Sequence, residues 1–336
     1  MSNLLRSGLK AWQSIAGKNT GVERALRKGY KNINEKVEAT YNTAIRAKRE
    51  KRYVGKNFTV FWNGPNIENR IGIYMEGGCD LPSVFASAPL IHEVVDGTCC
   101  ILKRRIGSEA HSSILLQALE GVPREVVKPV MERLQLPADY FEPTLFQKTF
   151  KVPGYERLGA FPKSVVILSL APDATRTLYR HKEHGFLADP GGWWLNHAMS
   201  DVLSNLPAVT WFQENFESIG KISASDFMDN FTKIARLIKE DLGAHLIVLN
   251  VLTVEPANLT HNYQFVRSSQ SMRRRELDLA LVELSHKLDF SILDVDRILK
   301  GAGIQEIQVD FAHFPEEAYP LIGKEAFRIM RDLGIF

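Results

Sequence analysis

The sequence predicts an α/β protein on a three-layer, mostly parallel sheet, and three observations carry that reading. From about Lys163 onward, short apolar runs (SVVILSLA, AVTWF, AHLIVLNVL and FSILDV) alternate with helix-patterned segments near 175–184, 193–205, 225–241, 270–287 and 317–332. The runs are apolar almost throughout, as strands are when helices cover both faces of a parallel sheet. A chain of 336 residues, 45% hydrophobic and 24% charged, also suffices for a large core without disulfides or a structural metal.

In chain order three segments differ in texture: a basic helical arm over 1–53, a small α+β module over 54–155 and the α/β domain over 156–336. The net charge of +3 conceals this, because residues 1–56 hold fourteen Lys or Arg against four Glu while the remainder is net acidic, at −7. Leu5, Leu9, Trp12 and Ala16 fall on one helical face, with Arg6, Lys10 and Lys18 elsewhere. A second basic helix is expected from Thr20, where Thr-Gly-Val-Glu has the capping-box spacing, through Val22, Leu26, Tyr30, Ile33, Val37, Tyr41 and Ile45 to KREKR. Three partners compete for these helices. An anionic membrane surface would gain about 1 kcal/mol per nearby Lys or Arg. The apolar stripe could equally pack on the rest of the chain or on a second copy, with the charges solvated. Nucleic acid fits least, since no stacking platform or zinc-finger spacing accompanies the charge.

In the second segment FTVFW and RIGIYM flank the turn-forming NGPNIEN and are expected to pair as strands, with TCCILKRR as a third. SSILLQALEG and REVVKPVMERLQLP read as helices. No catalytic motif stands out here, and Cys99 and Cys100 read as small strand hydrophobes. Three cysteines, two of them adjacent, do not make a disulfide framework, and no apolar run approaches the roughly 18 residues of a membrane span or forms a leader. The expected location is a reducing cytoplasm, peripheral at a membrane if the arm binds one.

Ligands of open α/β sheets bind outside the carboxyl ends of the strands, so the residues after each run carry the functional reading. They are Pro172-Asp173-Ala174-Thr175-Arg176 after SVVILSLA, Gln213-Glu214-Asn215 after AVTWF, and Asp310-Phe311-Ala312-His313 ahead of a Pro-Glu-Glu helix start. This order of strand-end polar groups, above all the Asp-x-x-His before the last helix, resembles the SGNH, or GDSL, hydrolase family over about residues 160–336. On a loop feeding a helix, residues three apart can face each other, so Asp310 could orient His313 and leave its other ring nitrogen for a nucleophile. Taken alone, the same pair reads as a strand-end Asp and an exposed cap.

The resemblance implies that Ala174 stands at the nucleophile position, because Pro172-Asp173-Ala174 occupies the place of the family's Gly-Asp-Ser. Three explanations stay open: a Ser-to-Ala variant of an active parent, takeover by Ser169 or Thr175, or a non-catalytic relative. Ser169 lies inside the apolar run, and Thr175 and Asp173 also read as helix caps. For the oxyanion hole the resemblance implies the Asn215 side chain and the N–H of Gly191 or Gly192, although Phe212-Gln213-Glu214-Asn215 departs from the family's Gly-x-Asn-Asp. Asn215 also reads as a turn residue.

Arg176 and Arg180 would share a helical face next to the nucleophile and could grip an anionic group on a substrate, or simply be solvated, as could RRR at 273–275. His181-x-x-His184 lacks an identified third ligand, so no metal is expected. The resemblance thus implies ester hydrolysis or acyl transfer through a serine acyl-enzyme with His313 as base and no cofactor. The alternatives are a catalytically inactive binding protein of the same fold, and a membrane or acidic-partner scaffold working through 1–53. A homo-oligomer is compatible with each.

Overall fold

The computed structural model describes residues 51–54, 58–62, 71–77, 81, 84, 98–103, 110–134, 140–142, 161–189, 206–253, 270–303 and 314–336. The chain divides into two compact units, Met1–Arg49 and Glu50–Phe336. The basic arm lies outside the described residues as far as position 50, and the fold described below is that of the second unit.

Its elements begin with strands β1 (Lys51–Val54), β2 (Phe58–Trp62), β3 (Ile71–Glu76) and β4 (Thr98–Lys103), then helices α1 (Ser112–Glu120) and α2 (Arg124–Leu134). Next come β5 (Lys163–Ser169), α3 (Ala171–Thr175), β6 (Leu178–His181), β7 (Leu187–Ala188), α4 (Leu206–Asn215) and β8 (Phe216–Gly220). The chain closes with α5 (Ala224–Leu242), β9 (His245–Leu249), α6 (Gln270–Leu288), β10 (Ser291–Leu293), α7 (Val295–Gly301) and α8 (Ala318–Asp332). None of the described helices is long and apolar enough to cross a membrane.

The principal sheet has seven strands in the order β1-β2-β4-β3-β5-β9-β10. β4, β3, β5, β9 and β10 run parallel, and β1 and β2 add an antiparallel edge. The class is therefore the expected one, a mostly parallel α/β sheet in three layers. Alternation along β5 divides the core. Val166 and Leu168 face a layer built from Leu115, Leu116, Phe227, Phe231, Ile234, Leu277 and Leu281 of α1, α5 and α6. Val165 and Ile167 face Leu299 of α7 and Ile322, Phe327 and Met330 of α8 on the other side. The long α5 is set at both ends by local chemistry. Ser223 accepts the Asp226 N–H at 3.1 Å as N-cap, and Gly243, at φ +59°, closes the helix in the left-handed region. A satellite sheet, β7-β6-β8, packs Leu178, Phe186 and Phe216 against Phe212 and the apolar face of α2.

The structure corrects the sequence reading at four places. FTVFW and RIGIYM are β2 and β3 but do not pair, because β4 lies between them, antiparallel to β2 and parallel to β3. Residues 54–155 do not form a sheet of their own, since Ile71–Glu76 pairs directly with Lys163–Leu168. AVTWF is helical within α4, where Phe212 stacks on Phe216 at 4.5 Å and meets Tyr179 at 5.1 Å. The segment 175–184 is not a helix: Arg176 turns extended at φ −82°, ψ 147°, and β6 pairs with β7 and β8. In both latter cases partners distant in sequence override local periodicity. The helix expected over 193–205 lies outside the described residues.

Candidate functional site

The parallel set reverses direction at one place. The chain runs from β3 outward to β4, then crosses back to β5 on the other side of β3 and continues to β9 and β10. Leu81 and Val84, which follow β3, join the core layer of α8, whereas α5, which leads from β5 to β9, lies on the opposite face. The two crossovers thus part between β3 and β5, and such a switch point leaves a crevice beyond the carboxyl ends of its strands.

Polar residues that would be costly elsewhere in the core gather at these ends. Glu76, the last residue of β3, is buried and accepts the Tyr74 hydroxyl at 2.9 Å. Gly77 follows where a side chain does not fit: a Cβ there would lie 2.6 Å from Leu81 Cδ1 and 2.7 Å from Ser169 Cβ. Ser169 ends β5, buried, with its Oγ accepting the Ala171 N–H at 3.1 Å. At the next strands Asn250 donates to Asp294 at 3.0 Å and accepts the Val295 N–H at 2.7 Å, and Asp296 accepts the Thr253 N–H and hydroxyl, each at 3.1 Å. Asp278 accepts the Val251 N–H at 3.4 Å. Burial pushes its carboxyl up to about 8, with Asp296 and Asp294 adding to the shift and the Val251 N–H and Arg274 opposing it.

Behind the turn after β5 lies a second buried network. The Asp173 carboxylate accepts the Ser112 N–H at 3.1 Å and the Ser112 hydroxyl at 2.5 Å, and His111 Nδ1 lies 3.5 Å from the same oxygen. Asn230 donates to Ser113 Oγ at 2.9 Å and Ser112 Oγ at 3.3 Å. Arg273 closes the far side, donating to the carbonyls of Asp173 at 2.6 Å, Ala174 at 3.0 Å and Ile222 at 2.7 Å. Burial holds Asp173 above its ordinary pKa against the pull of His111, Ser112 and Arg273. Burial likewise holds His111 below its ordinary value, helped by Arg273 and Arg176 and opposed by Asp173.

Ser, His and Asp therefore meet here, but not as a nucleophile relay. The Ser112 hydroxyl is bonded to the carboxylate, His111 Nδ1 accepts the Ser113 N–H at 3.1 Å as N-cap of α1, and all three side chains are fully buried. With Nδ1 accepting, the proton belongs on Nε2, which is buried with no hydrogen-bond partner among the described residues.

Of the residues expected to form the site, those among the described residues are dispersed. Ala174 is fully buried within the core layer of α5 and α6, not exposed at a strand tip, and β5 is the third strand of the parallel set in chain order. Asn215 ends α4, beside the satellite sheet, and its amide donates to the Trp211 carbonyl of its own helix at 2.7 Å. Arg176 and Arg180 share no helix. Arg176 lies 3.8 Å from the buried Asp189, and Arg180, on β6, lies 3.8 Å from its cross-strand neighbour Glu217. His181 Nδ1 accepts the N–H groups of Glu183 and His184, at 3.3 and 3.2 Å, to close a turn, and no metal-binding group of three or more His, Cys, Asp or Glu occurs among the described residues. Asp310, His313, Gly191 and Gly192 lie outside the described residues. Sequence reasoning missed Glu76, Gly77, His111 and Ser112. The available signal for the first two was the Glu76-Gly77-Gly78 that follows the apolar RIGIYM run.

No family model matches the chain, and no curated protein matches it. Among solved structures, the native aryl esterase of M. smegmatis aligns at 12% identity over 78% of this chain and 99% of its own, with a TM-score of 0.32. A putative arylesterase from Agrobacterium tumefaciens str. C58 aligns at 11% identity over 78% of this chain and 98% of its own, with a TM-score of 0.27. At these scores the likeness assigns neither activity nor residues.

Proposed function

We propose that this chain is an acyl-ester hydrolase or acyltransferase of SGNH type, with its reaction centre at the carboxyl ends of β3 and β5. The switch point between those strands is the observation that carries the reading. Sequence order supports it: Asp310 and His313 fall between α7 and α8, after the last parallel strand, where the family's acid and base stand.

The same order moves the nucleophile. In the family it follows the first parallel strand, which here is β3, and the residues leaving β3 are Gly77, Gly78 and Cys79. Cys79 would then replace the family's serine, two positions after a glycine as in Gly-Asp-Ser. His313, oriented by Asp310, takes the thiol proton; the thiolate attacks the ester carbonyl; the alcohol leaves with that proton; and water or an acceptor alcohol releases the acyl group from its thioester. The substrate is an acyl ester. An anionic group on it has no assigned partner now that Arg176 and Arg180 are separated.

Incubation with p-nitrophenyl esters followed by peptide mass spectrometry tests this. An acyl adduct on the Cys79 peptide is expected, absent in Cys79→Ala and strongly reduced in His313→Ala. No adduct with esters of several chain lengths, or an adduct indifferent to Cys79→Ala, would leave a binding protein of this fold as the better reading. The basic segment ahead of β1, residues 1–50, is proposed to hold the enzyme at an anionic surface, so co-sedimentation with acidic vesicles should fall as salt rises.

A further inference from the structure

One side chain holds both ends of the satellite sheet. The chain leaves β5 through α3, runs through β6, β7, α4 and β8, and only then enters α5 on its way to β9, so the satellite elements are an insertion into a single crossover. The insertion is entered from α3 and left at Ile222, two residues ahead of α5. Arg273, in the first turn of α6, reaches both joints. It donates to the carbonyls of Asp173 at 2.6 Å and Ala174 at 3.0 Å on the entry, and to that of Ile222 at 2.7 Å on the exit. Nε, Nη1 and Nη2 each take one carbonyl, a division that the rigid guanidinium fork allows and the point charge of a lysine does not.

The insertion stands at the end of the sheet where ligands bind. Its entry follows directly on Ser169, which crowds Gly77 at the end of β3. Helix α1 begins at the same end, since Ser112 in its first turn binds the Asp173 carboxylate. The next residues of α1 carry the satellite sheet: Ile114 joins its core, and the Gln117 side chain accepts the Leu187 N–H at 2.6 Å and donates to the Leu187 carbonyl at 2.9 Å. The Tyr140 hydroxyl accepts the Asp189 N–H and donates to the Asp189 carbonyl, each at 3.0 Å. The satellite sheet is thus fastened along its flank by α1 and Tyr140 and at its root by Arg273. Loss of the guanidinium leaves the flank in place and frees the root to shift.

We propose that Arg273 is a positioning residue that sets the satellite sheet as the wall against which the part of the ester remote from the reacting carbonyl is held. It governs which esters are accepted, and it acts through the sheet without touching the substrate. This assignment rests on the ester-hydrolase reading above. A wall displaced by about 1 Å costs up to about a hundredfold in reactivity for a substrate that it orients. An acyl group too short to reach the wall loses nothing.

The ratio of kcat/KM for p-nitrophenyl decanoate to kcat/KM for p-nitrophenyl acetate reads this on the full chain, because the ratio does not depend on how much of a variant is folded. Arg273→Met is expected to lower it about tenfold or more. Arg273→Lys, which keeps the charge and reaches one joint, should lower it less, and it carries the test alone if the methionine variant does not fold. Amide exchange supplies a second readout: peptides covering Leu178–His181 and Phe216–Gly220 should exchange faster in the variant, with β5 and β9 as protected as in the wild type. An unchanged ratio overturns the assignment, and so does a lowered ratio accompanied by faster exchange throughout the chain. Absence of turnover on either ester by the wild type would instead refute the ester-hydrolase reading itself, and the role of Arg273 with it.

Discussion

Ser112 and Asp173, 61 residues apart in sequence, are joined twice, the Asp173 carboxylate accepting the Ser112 N–H at 3.1 Å and its hydroxyl at 2.5 Å. The pair fastens the first turn of α1 to the turn that leaves β5, in a place closed to water. Removing the acceptor leaves two donors buried and unanswered, so Asp173→Ala should cost about 2–4 kcal/mol in urea unfolding. Asp173→Asn retains one acceptor oxygen and should cost about half as much. Three indistinguishable midpoints would mean that the network contributes nothing.

Asp278 sets a pH dependence of definite sign. Its carboxyl, ordinarily near 3.8, is pushed up to about 8 in the fold, so between those values the native state binds the extra proton and the unfolded chain does not. Stability therefore falls as pH rises through that window and levels off above it. His111, held below its ordinary 6.5 by burial, acts in the other direction, with stability falling as pH drops below that value. Asp278→Asn keeps an acceptor for the Val251 N–H and removes the ionisation. The variant should melt above the wild type at the alkaline end of the window, and the gap should close toward acid. A constant gap across the window would contradict the assignment.

Part of this architecture is written in local periodicity. The apolar runs that became β5, β9 and β10 and the helices over 224–242, 270–288 and 318–332 were legible because each buries a face whose spacing the sequence displays. AVTWF was not, since what makes Trp211 and Phe212 helical residues is the cluster of Tyr179 and Phe216 around them. Arg273 was equally opaque: within RRR nothing local separates a solvated guanidinium from one that meets three carbonyls. The site depends on topology that the sequence does not display: which strand comes first in a parallel sheet is fixed by pairing, and RIGIYM, with the texture of a separate module, pairs directly with SVVILSLA and precedes it in the parallel set.

Gly77 tests the crevice without reference to chemistry. A methyl group at this position meets Leu81 Cδ1 at 2.6 Å and Ser169 Cβ at 2.7 Å. The leucine tip can rotate aside, but Ser169 Cβ is fixed to the end of β5, so β3 and β5 must separate slightly. Gly77→Ala should destabilise by about 1–3 kcal/mol, and Gly77→Val by more. Thermal melts in that order are expected, and an alanine variant as stable as the wild type would show that the ends of β3 and β5 do not press against each other at Gly77.

The sharpest contrast between the sequence and structural readings is at position 174. A serine there would match the Asp-Ser of the family the sequence resembles, with Pro172 still in place of its glycine, yet the Ala174 side chain belongs to the core layer shared by Phe227, Leu277 and Leu281, and its carbonyl is held by Arg273 at 3.0 Å. A hydroxyl in that place has one inexpensive acceptor, the carbonyl four residues back, as Thr175 already shows by donating to the Ala171 carbonyl at 2.7 Å. Ala174→Ser should therefore fold, lose about 1–2 kcal/mol for the buried hydroxyl and remain unlabelled by a serine-directed fluorophosphonate. Cys79→Ser, introduced into the same chain, is the variant expected to acquire labelling, and that labelling should require His313. If Ala174→Ser is labelled while Cys79→Ser is not, β5 carries the nucleophile after all, and the core packing around residue 174 must open for the reaction.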